Sequence, residues 1–221
     1  MQCVVPEARP RLRGLSHRVA FYVALAAGGV LVGSARDSRA ELATAIYGVL
    51  LAGMFGTSAT LHRADWGPRA FGWLRRADHA MIFAFIAGTY TPLCMLAIPG
   101  GAEGAMSAAG AHLLALAWAA AALGILRALA WPHAPRALTS VLYIAVGWVV
   151  VAYLPAVHAA MDGVSFAFVV AGGATYTVGA LVYWRRWPDP SPAIFGYHEV
   201  FHLLIILGSA CHFVAVARVA G

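Results

Sequence analysis

An all-α integral membrane bundle of seven transmembrane helices is the fold class this sequence predicts, and three observations predict it. The chain of 221 residues is 62% hydrophobic and only 11% charged, with a mean hydropathy of +0.76, whereas a soluble domain carries about 25% charged residues. Its apolar residues gather into seven runs of about the twenty residues that a bilayer core requires. The segments between the runs are short and leave no room for a soluble domain. Residues 1–221 are therefore expected to form one membrane domain, with a short basic tail over residues 1–18.

The runs follow in order. Val19–Ala35 comes after Arg9, Arg11 and Arg13; it exceeds a signal-peptide core and has no clear processing site, so it is expected to be retained. Leu42–Leu61 closes on Ser58-Ala59-Thr60-Leu61-His62. The segment Arg63–His79 mixes Trp66, Phe71, Trp73 and Leu74 with arginines, as an amphipathic stretch on the inner leaflet would. Ala80–Ile98 opens behind Asp78-His79, and Ala105–Leu126, Ala137–Val157 and Val164–Trp184 follow. The seventh run is His198–Ala217.

Charge sets the orientation. All 15 basic residues are arginine, and they sit between the apolar runs, so the net charge of +6 reads as membrane-flanking charge rather than a nucleic-acid footprint. With the N-terminus inside, the tail, the second and fourth connections and the loop before the seventh run hold Arg9, Arg11, Arg13, Arg18, Arg63, Arg69, Arg75, Arg76, Arg127, Arg136, Arg185 and Arg186. The other side holds Arg36, Arg39 and Arg218. The positive-inside rule then places the N-terminus in the cytoplasm and the C-terminus outside. Cys3, Cys94 and Cys211 are odd in number and scattered, which supports neither a disulfide framework nor a thiolate metal site.

The most informative motif is His198-Glu199-Val200-Phe201-His202. Residues i and i+4 share one helix face about 6 Å apart along the axis, so both imidazoles can reach one metal ion. Ionisable side chains at membrane depth are costly and mark functional sites. Parity of the spans tests the idea: the end of the second run and the beginnings of the third and seventh fall on one side of the membrane, which brings His62, Asp78, His198 and His202 to one level. Three imidazoles and a water form a common catalytic zinc arrangement, in which a nearby carboxylate orients or deprotonates the water. Ser58 lies one turn deeper than His62 on the same face, where its hydroxyl could meet a polarised carbonyl.

Plainer roles compete for some of these residues. Asp78 follows Arg75 and Arg76 and could form an interfacial ion pair with them. Ser58 could bond back to its own helix. Glu199 points about 100° away from His198, which favours a solvated or arginine-paired side chain over a general base. His212 lies about 15 Å deeper than His202 and cannot share its metal. His17, His79, His112, His133 and His158 read as hydrogen-bonded interface residues, and the glycines and tyrosines of the sixth run as close helix packing.

Taken as an ordered set, Ser58 and His62 (SxxxH), Asp78 followed by Gly88-Thr89-Tyr90-Thr91-Pro92, Gly172, Gly173, Tyr176, Gly179 and Tyr183 (GGxxYxxGxxxY) and the seventh-run HExxH resemble bacterial hemolysin III proteins. These belong to the progestin and adipoQ receptor family, whose wider superfamily includes alkaline ceramidases. Arg13-Gly14-Leu15-Ser16-His17 also resembles the family's opening segment. The resemblance implies a seven-helix fold in a bacterial inner membrane, with an intramembrane Zn2+ held here by His62, His198 and His202. Asp78 and Ser58 would then lie near the water on that ion.

Two classes of function follow. One is a zinc-dependent hydrolase of a lipid amide or ester, with an acyl chain inside the bundle, Asp78 taking the proton and Ser58 helping to hold the oxyanion. The other is a non-enzymatic membrane receptor, regulator or cytolytic protein in which zinc is structural. In either, membrane lipids are the expected partners. An intramembrane metalloprotease, suggested by the bare HExxH, lacks a second protease motif in this chain.

Overall fold

The structure, a computed structural model, describes residues 10–98 and 106–221. Cys3, Arg9 and Ala105, the first residue of the expected fourth run, lie outside the described residues. The elements are α1 (Leu15–Gly33), α2 (Ser38–Arg63), α3 (Pro68–Pro92), α4 (Ala108–Ala130), α5 (Arg136–Gly147), α6 (Leu154–Ala160), α7 (Gly163–Arg185) and α8 (Tyr197–Ala220). With α3 extended by a π-turn through Ala97, and α5 and α6 joined by a 3-10 turn over Val149–Tyr153, they make seven helices long and apolar enough to cross a membrane. The protein is a multi-pass integral membrane bundle.

Local chemistry fixes where the helices begin. Asp37 accepts from the Ala40 amide (2.8 Å), Ser107 from Gly110 (3.0 Å) and Asp162 from Val164 (3.0 Å), so α2, α4 and α7 each start with a first-turn donor satisfied. Pro68 occupies the first turn of α3, where its missing N–H breaks no bond. The arginine-rich stretch expected on the inner leaflet is thus helical from Pro68 and continuous with α3. Arg75 and Arg76 act there as caps for a neighbour, donating to the carbonyls of Pro132 (2.7 Å) and Leu129 (3.0 Å) at the end of α4.

The bundle is built for lipid. Val30, Val49 and Leu123 are about 70% exposed on helix faces that water would not tolerate in such number, while Tyr47, Leu51, Phe55, Phe85 and Val216 form a core between α2, α3 and α8. Where the fifth span breaks, the freed backbone groups still find partners: the Tyr90 hydroxyl donates to Gly147 O (2.7 Å) and accepts from Val150 N–H (3.1 Å). Irregular backbone at membrane depth survives only when satisfied in this way.

Candidate metal centre

Span parity sends the end of α2 and the beginnings of α1, α3 and α8 to the same end of the bundle, the arginine-rich one. Asp189 accepts from the Tyr197 amide (2.7 Å) and Glu199 reaches back to the Gly196 amide (2.8 Å), so the first turn of α8 is capped by carboxylates. This cap starts α8 at the site rather than beyond it. From the first turns of α8, His198 and His202 meet His62 in the last turn of α2.

The three imidazoles offer nitrogens that all lie within 4.8 Å of one another, a group that could hold a metal ion. His62 Nε2 and His198 Nε2 are 3.2 Å apart. His202 is 1% exposed and its Nδ1 is buried with no hydrogen-bond partner. A buried ring nitrogen left unpaired is costly, and a metal ligand field is one way to satisfy such a cluster.

Asp78 and Ser58 stand beside this group. The Ser58 hydroxyl is 2.9 Å from His17 Nδ1 and has the Asp78 carboxyl as a neighbour with which it can hydrogen-bond. A carboxylate only accepts, so when Asp78 is ionised Ser58 donates to it and receives the His17 Nδ1–H. That order leaves His17 Nε2 as a bare acceptor, and it is buried without a partner. The Asp78 ion pair with Arg75 or Arg76 does not form, because both guanidiniums turn to the carbonyls that end α4.

His17 is the residue that sequence reasoning undervalued. It is 3% exposed and stacks flat on His202, with ring centroids 3.7 Å apart and planes 9° apart. The segment before it is pinned by Arg11 and Leu12 amides donating to the carbonyls of Ala193 and Ile194 (3.1 Å each). Gly14 turns the chain into α1 at φ +73°, and a Cβ there would stand 2.6 Å from His62 Cβ. Only glycine permits both that angle and that approach. The available signal was parity, which puts the start of the first span at the same level as His62.

Glu199 is paired, and buried rather than solvated: it is 2% exposed and forms an ion pair with Arg13 of the same N-terminal segment. His212 stays apart from the metal group; its Nε2 is 3.0 Å from Val169 O and its ring meets Tyr176 edge-on. Gly172 makes room for that ring, since a Cβ at Gly172 would come within 2.1 Å of it. The site opens on an internal cavity of about 150 Å³, lined by His17, Ser58, Asp78, His198 and His202 at one end and by Leu93, Val169 and His212 toward the other.

These features define a class: a multi-pass membrane protein with a three-histidine group inside its bundle that could hold a metal ion. The chain belongs to the Haemolysin-III related family, whose profile matches residues 7–213. It is similar to Hemolysin-3 of Bacillus cereus, at 28% identity over 180 residues covering 81% of this chain and 75% of that protein. A Hemolysin-3 homolog of Bacillus subtilis (strain 168) is likewise 28% identical over 172 residues, covering 77% and 74% respectively.

Proposed function

We propose that the protein is a zinc-dependent hydrolase acting on an amide or ester bond of a membrane lipid, at the cytoplasmic leaflet. The observation that carries this reading is the convergence of three histidine nitrogens within 4.8 Å, two of them from His198 and His202 on the wall of a largely apolar internal cavity. The donor set fits zinc: two nitrogens each about 2.0–2.1 Å from a tetrahedral ion stand about 3.3 Å apart, and His62 Nε2 and His198 Nε2 are separated by 3.2 Å. An ion held by His62, His198 and His202 would supply Lewis acidity toward a carbonyl and lower the pKa of water.

The chain's own residues supply the rest. Asp78 accepts the proton, being the carboxyl that lines the cavity beside the histidines. Ser58, 2.9 Å from His17 Nδ1 and neighbour to Asp78, orients that carboxyl or turns toward an oxyanion. The cavity wall of Ile82, Phe85, Ile86 and Leu93 excludes water and takes an acyl chain. The arginine-rich end supports a position of this machinery at the inner headgroup level.

The relatives' name supports a second reading, a cytolytic or regulatory protein with structural metal. One experiment separates them. Purified protein is assayed for zinc and for release of fatty acid from a panel of lipid amides and esters, alongside Asp78→Asn. Zinc-dependent release that the variant abolishes while remaining folded is the expected result; metal-loaded protein inert on the whole panel would favour the second reading. Labelling of a cysteine placed at Ala64 only from the cytoplasmic side checks the orientation, and labelling from the other side would overturn it.

A further inference from the structure

A second set of cations stands at the same end of the bundle, on the α3–α4–α5 side. Arg127, in the last turn of α4, uses Nη1 to reach Thr139 Oγ1 (3.3 Å). Its Nε and Nη2 are buried and have no hydrogen-bond partner. Those two atoms form one edge of the guanidinium fork, the edge that receives two oxygens of a carboxylate or phosphate side by side. An ionised guanidinium with that edge buried and unsatisfied is among the more costly arrangements a membrane protein can hold. The dipole at the end of α4 offsets only part of that cost.

Two further arginines face the same neighbours. The charges of Arg75 and Arg127 both act on His79, and those of Arg75 and Arg136 on Tyr183, over whose ring the Arg136 guanidinium lies at 5.7 Å. Arg75 meets only a carbonyl and Arg136 only the Tyr197 hydroxyl (3.1 Å) and the Tyr183 ring. The ion pairs among the described residues engage Arg13, Arg36 and Arg218, and no carboxylate pairs with Arg75, Arg127 or Arg136. Among the described residues, these three guanidiniums at a helix-bundle end have no carboxylate at ion-pair distance, Asp78 facing the cavity on the far side of Tyr143 and Tyr183 being the nearest acidic group they share neighbours with.

We propose that Arg127, with Arg75 and Arg136, forms a binding site for the phosphate of an anionic membrane phospholipid. The occupant is a lipid because the cluster lies at the ends of three membrane-spanning helices, where phospholipid phosphates are the abundant oxyanions. It is an anionic lipid because three positive charges without a carboxylate favour a headgroup whose phosphate is not neutralised by its own amine. The Nε–Nη2 edge is shut from solvent, with the Phe83 ring 5.7 Å from the guanidinium carbon, so the phosphate enters by displacing the side chains over it. Tyr143, His79 and Ser140 separate this site from the metal cavity, whose wall they form.

The test is retention of lipid, which is read without any turnover and so stands apart from the hydrolase reading. Protein reconstituted in nanodiscs of equal phosphatidylglycerol and phosphatidylcholine is extracted into mild detergent and its bound lipids are counted by mass spectrometry. We expect phosphatidylglycerol enrichment of about tenfold, as one bidentate charge-assisted contact supplies. Arg127→Met should abolish the enrichment, Arg127→Lys should reduce it severalfold because an ammonium cannot fork, and exposed Arg186→Gln should leave it unchanged. Equal retention of the two lipids by the wild type, or undiminished enrichment in both Arg127 variants, would overturn the site. Displacement of the lipid by millimolar inorganic phosphate would overturn its assignment to a lipid.

Discussion

His202 and His212 share helix α8, lie ten residues and about 80° apart around its axis, and each buries a ring nitrogen that has no partner. Their surroundings differ in kind. Around His202 stand His62, His198 and His17, brought by α2, the first turn of α8 and the first turn of α1. Around His212 stand the Val169 carbonyl, the Tyr176 ring and the backbone of Gly172, all from α7. One residue type on one helix thus serves two ends: where several helix termini converge it joins a donor group, and where two helices merely pack it knits them together.

The sharpest way to break this comparison is to remove each imidazole in turn. Changing His62, His198 or His202 to Ala should remove most of the zinc measured by elemental analysis, whereas His212→Ala should keep it. Full zinc in all three of the first variants, or loss in the fourth, would erase the distinction. A second effect separates ligand from helper. Asp78→Asn should keep substantial metal and lower lipid hydrolysis by about a hundredfold or more, since an amide cannot accept a proton. Metal loss equal to that of a histidine variant would move Asp78 into the donor group.

A third test weighs the support beneath the site. Glu199→Gln keeps the reach back to the Gly196 amide and deletes only the charge facing Arg13. Breaking a buried pair removes about 3–5 kcal/mol; because Arg13 retains 20% exposure, we expect a loss of about 2 kcal/mol in detergent unfolding. An unchanged midpoint would show that the N-terminal segment is not fastened there.

The smallest effect lies at the opposite end of the bundle. Asp162, an exposed residue, caps α7 and meets Arg218 (3.1 Å), and its hydroxyl bond from Ser165, with the arginine, holds its pKa down to about 2. A carboxylate with a depressed folded-state pKa stabilises above its unfolded value of about 4 and loses that contribution as pH falls toward the folded value. The gap in unfolding midpoint between the wild type and Asp162→Asn should therefore be full at neutral pH and close between about pH 4 and the folded-state value. A gap that closes above pH 5 would contradict the assignment.

Much of this was readable in the residues because the membrane imposes strict rules. Hydrophobic run length gave the seven spans, and parity placed Ser58, His62, Asp78, His198 and His202 together before any coordinates. Other features depended on contacts that periodicity does not encode. The continuous fifth run conceals a break after Gly147 that is tolerated only because Tyr90, from α3, satisfies Gly147 O and Val150 N–H. The stretch after Arg63 has interfacial composition yet folds as helix from Pro68, since Arg75 and Arg76 find carbonyl partners on α4. His17 enters the site because Gly14 allows a turn that no hydrophobic pattern reports.

The most direct measurement of the central claim is zinc K-edge X-ray absorption on the purified protein. We expect a four-coordinate ion with about three imidazole nitrogens at about 2.0–2.1 Å and one further oxygen, in a signal lost from His202→Ala and retained in His212→Ala. An ion bound through sulfur, or one whose histidine scattering persists in His202→Ala, would contradict the convergence of His62, His198 and His202 on a single metal.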